Sequence, residues 1–309
     1  MIRAVMNRSD WTILLALAVI WGGAFLFISV AVSEVPPLTY VWLRLSIAAL
    51  ALWLFLRSRG GGFALPGSAW PAIVALALVN TVVPFTLFGW GQTQIASGLA
   101  SILNATTPIW GVVVAHLFTS DERLTPRKLA GILLGFGGVA LMLAPTLGTS
   151  LAGNALAQIA CLTAAFCYAL AGVWARRFKA MGITPESVAG GQLAAGALIM
   201  LPVALLVDRP WLQPLPSTGA IGSIIALALV CTAFGYILYF RLIDRAGATN
   251  ALLVTLLVPP VAILLGGLVL GEVLHLRDFA GLALIALGLA AIDGRLLSLL
   301  RPRRLQRAV

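Results

Sequence analysis

The stretch ALALVNTVVPFTLF at residues 75–88 recurs as ALALVCTAFGYILY at residues 226–239. The aligned pairs at this constant offset are Thr81 and Thr232, Phe85 and Tyr236, Phe88 and Tyr239, and, farther along, Pro108 and Pro259. Two flanking blocks repeat in the same order: PPLTYVWLRL parallels ITPESVAGGQL, and DERLTPRKLAGILLGFGGVAL parallels GEVLHLRDFAGLALIALGLAA. Chance matches among Ala, Leu and Val do not explain several elements in one order, so the sequence predicts two copies of one unit.

Composition places these copies in a membrane. Of the 309 residues, 61% are hydrophobic and 10% are charged, and the mean hydropathy is +1.04. Water-soluble domains carry about 25% charged residues, so this chain cannot cover a water-exposed surface. The three cysteines, Cys161, Cys167 and Cys231, lie in apolar runs, and no disulfide framework is predicted.

The sequence contains ten apolar stretches near the roughly 20 residues that a spanning helix needs. They cover residues 11–32, 38–57, 70–89, 97–118, 127–145, 152–175, 184–206, 218–241, 249–271 and 277–294. We expect helices because backbone N–H and C=O groups in lipid have no water to bond. The predicted fold is therefore an all-α integral membrane protein with ten transmembrane helices.

The distribution of basic residues predicts the orientation of the chain. Among the 20 Lys and Arg residues, only Arg209 and Arg277 fall in outer loops if the N-terminus is cytoplasmic, and only Arg44 lies within a span. The positive-inside rule therefore places both termini in the cytoplasm. Basic loops that meet anionic lipid head groups also explain the formal net charge of +10. The expected partner is the lipid bilayer and not nucleic acid.

The repeat and the span count together predict how the halves are related. The predicted units are residues 1–147 and 148–296, each with five helices, followed by a basic cytoplasmic tail at 297–309. Because five is odd, one unit starts inside and the other outside, so the copies are inverted across the membrane. Inverted repeats are typical of secondary transporters with a site near the midplane. Duplication without transport, as in some channels and scaffolds, stays open.

Several residues within the repeat resemble those of a known family. These are Trp21-Gly22 in the first span, Arg44 in the second, Pro259 followed by Gly271-Glu272, and Ala280-Gly281 in the last span. In this order and spacing, residues 10–295 resemble the two EamA repeats of the drug/metabolite transporter superfamily. The resemblance implies ten helices, a central cavity, and export or exchange of small metabolites such as amino acids. The first copy departs from the pattern, with Ser120-Asp121-Glu122 where the second has Gly271-Glu272.

Candidate cavity residues surround the repeated stretch. Pro84 and its counterpart Gly235 weaken matching helices, and paired breaks of this kind point to a transport site. Kinks that only shape packing give the same pattern. The predicted substrate-binding residues nearby are Asn80, Thr81, Phe85, Tyr236 and Tyr239, and the predicted gating or kink positions are Pro84, Pro108, Gly235 and Pro259.

Other spans add further candidates for substrate binding. In the fourth span Ser97, Ser101, Asn104, Pro108 and Gly111 share one face of a helix. Asn104 then either bonds a neighbouring helix or lines the cavity. The remaining candidates are Trp21, Arg44, Trp110, Gln158, Tyr168 and Thr255. Deep aromatic rings suit an aromatic or apolar amino acid, or core packing. Arg44 either snorkels, pairs structurally or contacts a substrate carboxylate.

The sequence lacks the motifs of other mechanisms. It has no Walker lysine motif, no metal-ligand cluster and no Ser/His/Asp or HExxH pattern, so we expect no cofactor, no metal and no enzyme activity. The predicted function is a secondary transporter of the bacterial inner membrane that exports or exchanges small metabolites, notably aromatic or hydrophobic amino acids, by alternating access. The alternative is a non-transporting membrane partner or lipid-handling protein. We expect a monomer or weak homodimer.

Overall fold

The computed structural model describes residues 7–118, 125–143, 152–246 and 254–293. Within these ranges every regular element is helical. The α-helices are α1 (Arg8–Val32), α2 (Pro37–Ser58), α3 (Trp70–Ala77), α4 (Val83–Gly91), α5 (Ser97–Asn104), α6 (Thr107–Phe118), α7 (Pro126–Leu143), α8 (Ala152–Ala180), α9 (Pro185–Val203), α10 (Thr218–Ala226), α11 (Gly235–Ala246), α12 (Val254–Leu270) and α13 (Leu276–Asp293). The predicted unit boundary at 147/148 and the tail at 297–309 lie outside the described residues.

Seven helical stretches in the described ranges are long and apolar enough to cross a membrane. They are Arg8–Val32, Pro37–Ser58, Gly67–Gly91, Ser97–Phe118, Asn154–Ala180, Pro185–Leu212 and Thr218–Ile243. Two shorter apolar stretches, Lys128–Leu141 and Leu257–Leu270, coincide with the predicted fifth and ninth spans. The helices therefore begin and end close to the predicted spans. The total of ten spans and the orientation of the termini stay predictions.

Two π-helical turns interrupt the third and eighth predicted spans at the repeated stretch. The first, Leu78–Val82, joins α3 to α4, and the second, Leu227–Phe234, joins α10 to α11. Pro84 follows the first turn and has no N–H to donate, so regular α-helical bonding cannot continue through it. π-Helical turns within α-helices are frequent at functional sites. The two copies of ALALV thus lead into the same unusual local structure.

A threonine stands at the same place in each π-helical turn. Thr81 Oγ1 donates to the Ala77 carbonyl at 2.6 Å, and Thr232 Oγ1 donates to the Leu227 carbonyl at 2.7 Å. A side-chain hydroxyl that bonds a carbonyl of the same helix satisfies its own donor in an apolar environment, where an unpaired polar group is costly. The repeated threonine therefore makes the same kind of contact in both halves.

The fourth predicted span is two helices and not one. α5 ends at Asn104 and α6 begins at Thr107, with a turn between them. Pro108 lacks the N–H that would continue the first helix, and Thr107 Oγ1 donates to the Asn104 carbonyl at 2.7 Å across the break. The predicted single helical face is therefore wrong, because its members are divided between two helices. Those members are Ser97, Ser101, Asn104, Pro108 and Gly111.

Helices α7 and α13 cross at four glycines. A Cβ added to Gly138 would stand 2.6 Å from the Gly281 carbonyl oxygen, and one added to Gly288 would stand 2.5 Å from the Gly131 carbonyl oxygen. Residue numbers rise along α7 while they fall along α13, so the two helices run antiparallel. Small residues let membrane helices approach to backbone contact, and here each copy contributes glycines at corresponding positions.

Helices α2 and α9 also run antiparallel. Thr39 near the start of α2 bonds Asp208 beyond the end of α9, and Leu45, farther along α2, lies against Gly196 within α9. By the repeat, α9 is the copy of α2 just as α13 is the copy of α7. Each of these helices therefore packs on its own copy in the opposite direction.

Replacing Gly138 with alanine should destabilise the protein, because the new methyl group meets a backbone oxygen that cannot move aside. Overpacking of this kind costs about 1–3 kcal/mol. Gly137 is the matched control, since a Cβ there meets no atom within 4 Å. We expect thermal unfolding in detergent to show a lower midpoint for Gly138→Ala and an unchanged or higher midpoint for Gly137→Ala. Equal midpoints would contradict the glycine crossing.

Two carboxylates on the predicted outer side cap helices of the opposite half. Glu34, just after α1, accepts hydrogen bonds from the Ser217 backbone N–H at 2.6 Å and its Oγ at 2.7 Å. Asp208 accepts from the Thr39 N–H at 2.7 Å and its Oγ1 at 3.0 Å. Carboxylates favour helix N-termini because the first N–H groups there lack partners and the helix dipole is positive.

A third carboxylate, Glu272, makes the same kind of contact with α5. Its oxygens accept from the Ser97 N–H at 2.7 Å, the Ser97 Oγ at 2.9 Å and the Gly98 N–H at 3.1 Å. Glu272 lies between α12 and α13, so this cap also connects the two predicted units. On the predicted outer side the halves are therefore joined by charge-assisted hydrogen bonds.

The bonds from Ser217 hold the pKa of Glu34 below its usual value of 4.5. A depressed folded-state pKa contributes stability above the unfolded pKa, and this stability is lost as the pH falls through the folded pKa. We expect Glu34→Gln to lower the unfolding midpoint at neutral pH and to differ progressively less from wild type as the pH falls below about 4.5. A difference that stays constant down to pH 3 would contradict an ionised cap.

Candidate functional site

Arg44 on α2 lies at the polar centre of the molecule and is only 6% exposed. Its Nε donates to Thr232 Oγ1 at 3.0 Å, and its Nη1 donates to the Tyr40 hydroxyl at 3.2 Å. The guanidinium carbon stands 3.7 Å from the centre of the Phe85 ring, a cation–π contact. Because Thr232 belongs to the second π-helical turn, Arg44 links the first half to the second.

Asn80 makes a corresponding link in the other direction. It lies in the first π-helical turn, and its Nδ2 donates to Gln192 Oε1 on α9 at 2.9 Å. The repeat aligns Gln192 with Arg44. The side chains of Asn80 and Gln192 also interact with the Tyr236 hydroxyl. Thus α2 bonds to the π-helical turn of the second half, and α9 bonds to that of the first.

Trp21 on α1 closes one side of this centre. Its Nε1 donates to the Cys231 carbonyl at 3.1 Å, and its ring lies 5.2 Å from that of Tyr239. A Cβ at Gly235 would stand 2.8 Å from Trp21 Nε1. The position paired with Pro84 is thus a glycine because the indole approaches the backbone there.

Tyr168 on α8 lies between the two main hydrophobic cores and packs against both. Its ring stacks on Phe88 at 6.1 Å, and Phe88 meets Phe25 edge to face at 5.7 Å. Stacked and edge-to-face rings contribute about 0.5–1.5 kcal/mol beyond area burial. Flat ring faces therefore stand beside the polar groups of Arg44 and Asn80.

We call this set the central cluster. Its members are Trp21, Tyr40, Arg44, Asn80, Thr81, Phe85, Tyr168, Gln192, Thr232, Tyr236 and Tyr239. The structure brings together most of the residues that the sequence proposed for substrate binding. Tyr40 and Gln192 are the members that were not proposed, and Thr232 was recognised from the sequence as the repeat partner of Thr81. Each missed residue had a signal: Tyr40 lies one helical turn before Arg44, and Gln192 is the repeat copy of Arg44.

Five proposed residues have other surroundings. Ser101 donates to the Gly98 carbonyl within its own helix, and Asn104 accepts from Thr107. Trp110 packs on the rings of Phe136 and Phe166. In the described part of the chain, Trp110 Nε1 and Gln158 Oε1 are buried without a hydrogen-bond partner. Thr255 is partly exposed on α12.

The proposed kink positions differ from one another. Pro84 and Gly235 each follow a π-helical turn, and Pro108 follows the break before α6. Pro259, by contrast, lies inside α12, which continues through it as one helix.

A cleft of about 310 Å³ lies away from the central cluster, on the predicted outer side. Its lining is mostly apolar and includes Thr39, Leu43, Pro214 and Ile221. None of its lining residues belongs to the central cluster. In the described ranges, no group of three or more His, Cys, Asp or Glu side chains is arranged to hold a metal ion.

Residues 10–144 and residues 155–292 each match the model of the EamA-like transporter family. This chain belongs to the EamA-like transporter family. The resemblance seen in the sequence is thereby confirmed, and the seven long apolar helices agree with a membrane protein. EamA-like proteins are transporters, so membrane transport is the class of activity that the family indicates.

Relatives of this EamA-like chain extend over almost its full length. A protein named "Uncharacterized transporter" from Archaeoglobus fulgidus is 26% identical over 281 residues, covering 90% of this chain and 96% of its own. The "Uncharacterized inner membrane transporter YedA" of Escherichia coli K12 is 27% identical over 291 residues, covering 90% of this chain and 89% of its own.

A solved structure described as "Crystal structure of protein" shares the fold. It matches with a TM-score of 0.66 and 21% identity, covering 97% of this chain and 100% of its own. At this identity the match supports the helical architecture alone.

Replacing Thr232 with valine should destabilise this EamA-like protein, since it leaves the buried Arg44 Nε without its acceptor and removes the hydroxyl bond to the Leu227 carbonyl. Loss of a partner from a buried polar group costs about 1–3 kcal/mol. Thr232→Ser is the matched control because it keeps the hydroxyl. We expect a lower unfolding midpoint in detergent for the valine variant and a near wild-type midpoint for the serine variant. A wild-type midpoint for the valine variant would contradict a stabilising role of the Thr232 hydroxyl.

Proposed function

We propose that this chain is a secondary transporter that exports or exchanges small metabolites by alternating access around the central cluster. The observation that carries the proposal is the position of that cluster. It joins the π-helical turns of both halves through the bonds from Arg44 to Thr232 and from Asn80 to Gln192. A site shared by two units can open to either face when the units rock against each other.

The proposed inversion of the halves has two supports. The family model matches twice, at residues 10–144 and 155–292, and the helix pairs α2 with α9 and α7 with α13 are antiparallel. The two units are copies of one another, and their equivalent helices run in opposite directions. This is the arrangement expected of an inverted repeat. We place the site near the membrane midplane on this basis, with both termini in the cytoplasm.

The rings of the cluster favour a substrate with a flat or apolar body. Trp21, Tyr168, Tyr236 and Tyr239 are partly exposed around Asn80, whose side chain is also partly exposed. Ring faces bind other rings, and the polar edges of Tyr and Trp add hydrogen bonds. Amino acids with aromatic or hydrophobic side chains are therefore the first class to test.

We propose the bacterial inner membrane as the location. The printed name of YedA places that relative in the inner membrane of Escherichia coli, and the basic residues of this chain concentrate in the predicted cytoplasmic loops. We propose that those loops contact anionic lipids. We also propose that the protein is a monomer or a weak homodimer.

A flux assay tests the proposal. Purified protein is reconstituted in liposomes, and uptake of radiolabelled amino acids, nucleosides and small aromatic solutes is measured against protein-free liposomes. We expect saturable flux of at least one solute, reduced by roughly tenfold or more in Trp21→Ala and Asn80→Leu, since each removes at least one contact worth about 1.4 kcal/mol.

Trp53→Ala is the matched control, because Trp53 is 42% exposed on α2 and outside the central cluster. It should transport like wild type. All variants are first checked for a single size-exclusion peak and a cooperative unfolding transition. No flux of any solute by well-folded wild-type protein would reject the carrier and favour a non-transporting membrane partner or lipid-handling protein.

A further inference from the structure

The charge of Arg44 is not paired with any carboxylate whose side chain the structure describes. The titratable groups known to interact electrostatically with its guanidinium include Tyr40, Tyr168, Cys231 and Tyr236. Phenols and thiols are neutral near pH 7. Its two hydrogen bonds go to hydroxyl oxygens, and its third contact is the Phe85 ring. The guanidinium, which is only 6% exposed, thus has no negatively charged partner among the side chains that the structure describes.

The described carboxylates that are bonded serve other parts of the molecule. Asp10 pairs with Arg245 at 2.8 Å. Glu34, Asp208 and Glu272 cap helices at the predicted outer side. A buried charge is normally paired, because its desolvation is otherwise uncompensated. An ionisable residue inside a membrane that lacks a protein partner marks a functional site by default.

The guanidinium also has donors to spare. Arginine carries five N–H groups, and the two hydrogen bonds described for Arg44 use two of them. Its planar fork matches the two oxygens of a carboxylate, which it binds through two parallel hydrogen bonds. One cation among neutral groups balances one negative charge, whereas a phosphate would bring nearly two.

We propose that Arg44 binds the carboxylate of the transported molecule and that the preferred substrate carries one net negative charge on an aromatic or apolar body. This inference rests on the proposed carrier, and it replaces the free zwitterionic amino acid with a monoanion as the preferred substrate. A zwitterionic amino acid would bring an ammonium group into a site that already holds a cation and, among the described residues, no acid to receive it. The same molecule with its amino group blocked or absent avoids that repulsion.

A monoanion would also couple transport directly to the membrane potential. A membrane potential that is negative inside drives anions outwards, by roughly 50-fold in concentration for each 100 mV. Transport of a monoanion moves net charge and responds to that potential. Transport of a zwitterion moves none.

Three probes with one aromatic body separate these possibilities. N-acetyl-L-phenylalanine carries one negative charge at pH 7, L-phenylalanine is a zwitterion and L-phenylalanine amide carries a positive charge on its ammonium form. The full chain is reconstituted in liposomes with an imposed potassium diffusion potential, and flux of each labelled probe is measured. We expect the N-acetyl probe to be transported at least tenfold faster than the others, with a rate that depends on the potential.

Substitutions at Arg44 then test its role. Arg44→Gln installs the amide that the second half carries at position 192, and it should remove the preference for the anion. Arg44→Lys keeps the positive charge but loses the planar guanidinium. It should therefore lower the transport rates while the N-acetyl probe stays the fastest. Arg177→Gln, which alters an exposed cation stacked on Trp174, should leave rates and order unchanged.

The outcomes are distinct. A structural role alone predicts that Arg44→Gln lowers the unfolding midpoint and the flux of all probes equally, with the order preserved. Preferred transport of the zwitterion or the cation, or flux that ignores the potential, overturns the inference while the carrier proposal stands. No transport of any of the three probes also overturns it, and the carrier proposal then depends on the wider solute panel.

Discussion

The hydrogen bond between Arg44 and Thr232 is the contact on which the arrangement of the two halves depends. In a bilayer, water does not satisfy a buried guanidinium or the backbone of a widened helical turn. Arg44 therefore requires acceptors from the protein, and Thr232 provides one while it also donates to the Leu227 carbonyl. The second π-helical turn and α2 meet at this hydroxyl, and Tyr40 accepts a hydrogen bond from the same guanidinium.

The halves share a backbone plan but differ in charge at their centre. Thr81 and Thr232 support equivalent π-helical turns, and Arg44 and Gln192 stand at equivalent positions on α2 and α9. Only the first half places a cation there. The duplication therefore supplies two matching frames, and the difference between Arg44 and Gln192 places a positive charge at this position in the first half alone.

The helices and much of the central cluster were predictable from the sequence, because apolar length sets the spans and the repeat identifies matching residues. Tyr40 and Gln192 could also have been predicted as site residues, from helical spacing and from the repeat respectively. The π-helical turns were not predictable. A proline indicates that a helix is interrupted, but it does not indicate which kind of turn replaces the regular bonding. Pro108 was predicted as a kink position, but the complete break after Asn104 was not, so a single helical face was expected across it. Trp110 resembles Trp21 in depth, yet it packs on Phe136 and Phe166, because depth alone does not determine which face a side chain occupies.

The most direct test of alternating access measures both faces at once. Spin labels at Ser33 and Gln213 report the predicted outer face, and labels at Ser58 and Met181 report the predicted inner face. All four side chains are exposed and lie outside the central cluster. Distances are measured by pulsed electron paramagnetic resonance in liposomes with and without a transported solute. The account predicts that the distance from Ser33 to Gln213 lengthens when the distance from Ser58 to Met181 shortens, and the reverse. Two distances that lengthen or shorten together, or an outer distance that never lengthens, would contradict it.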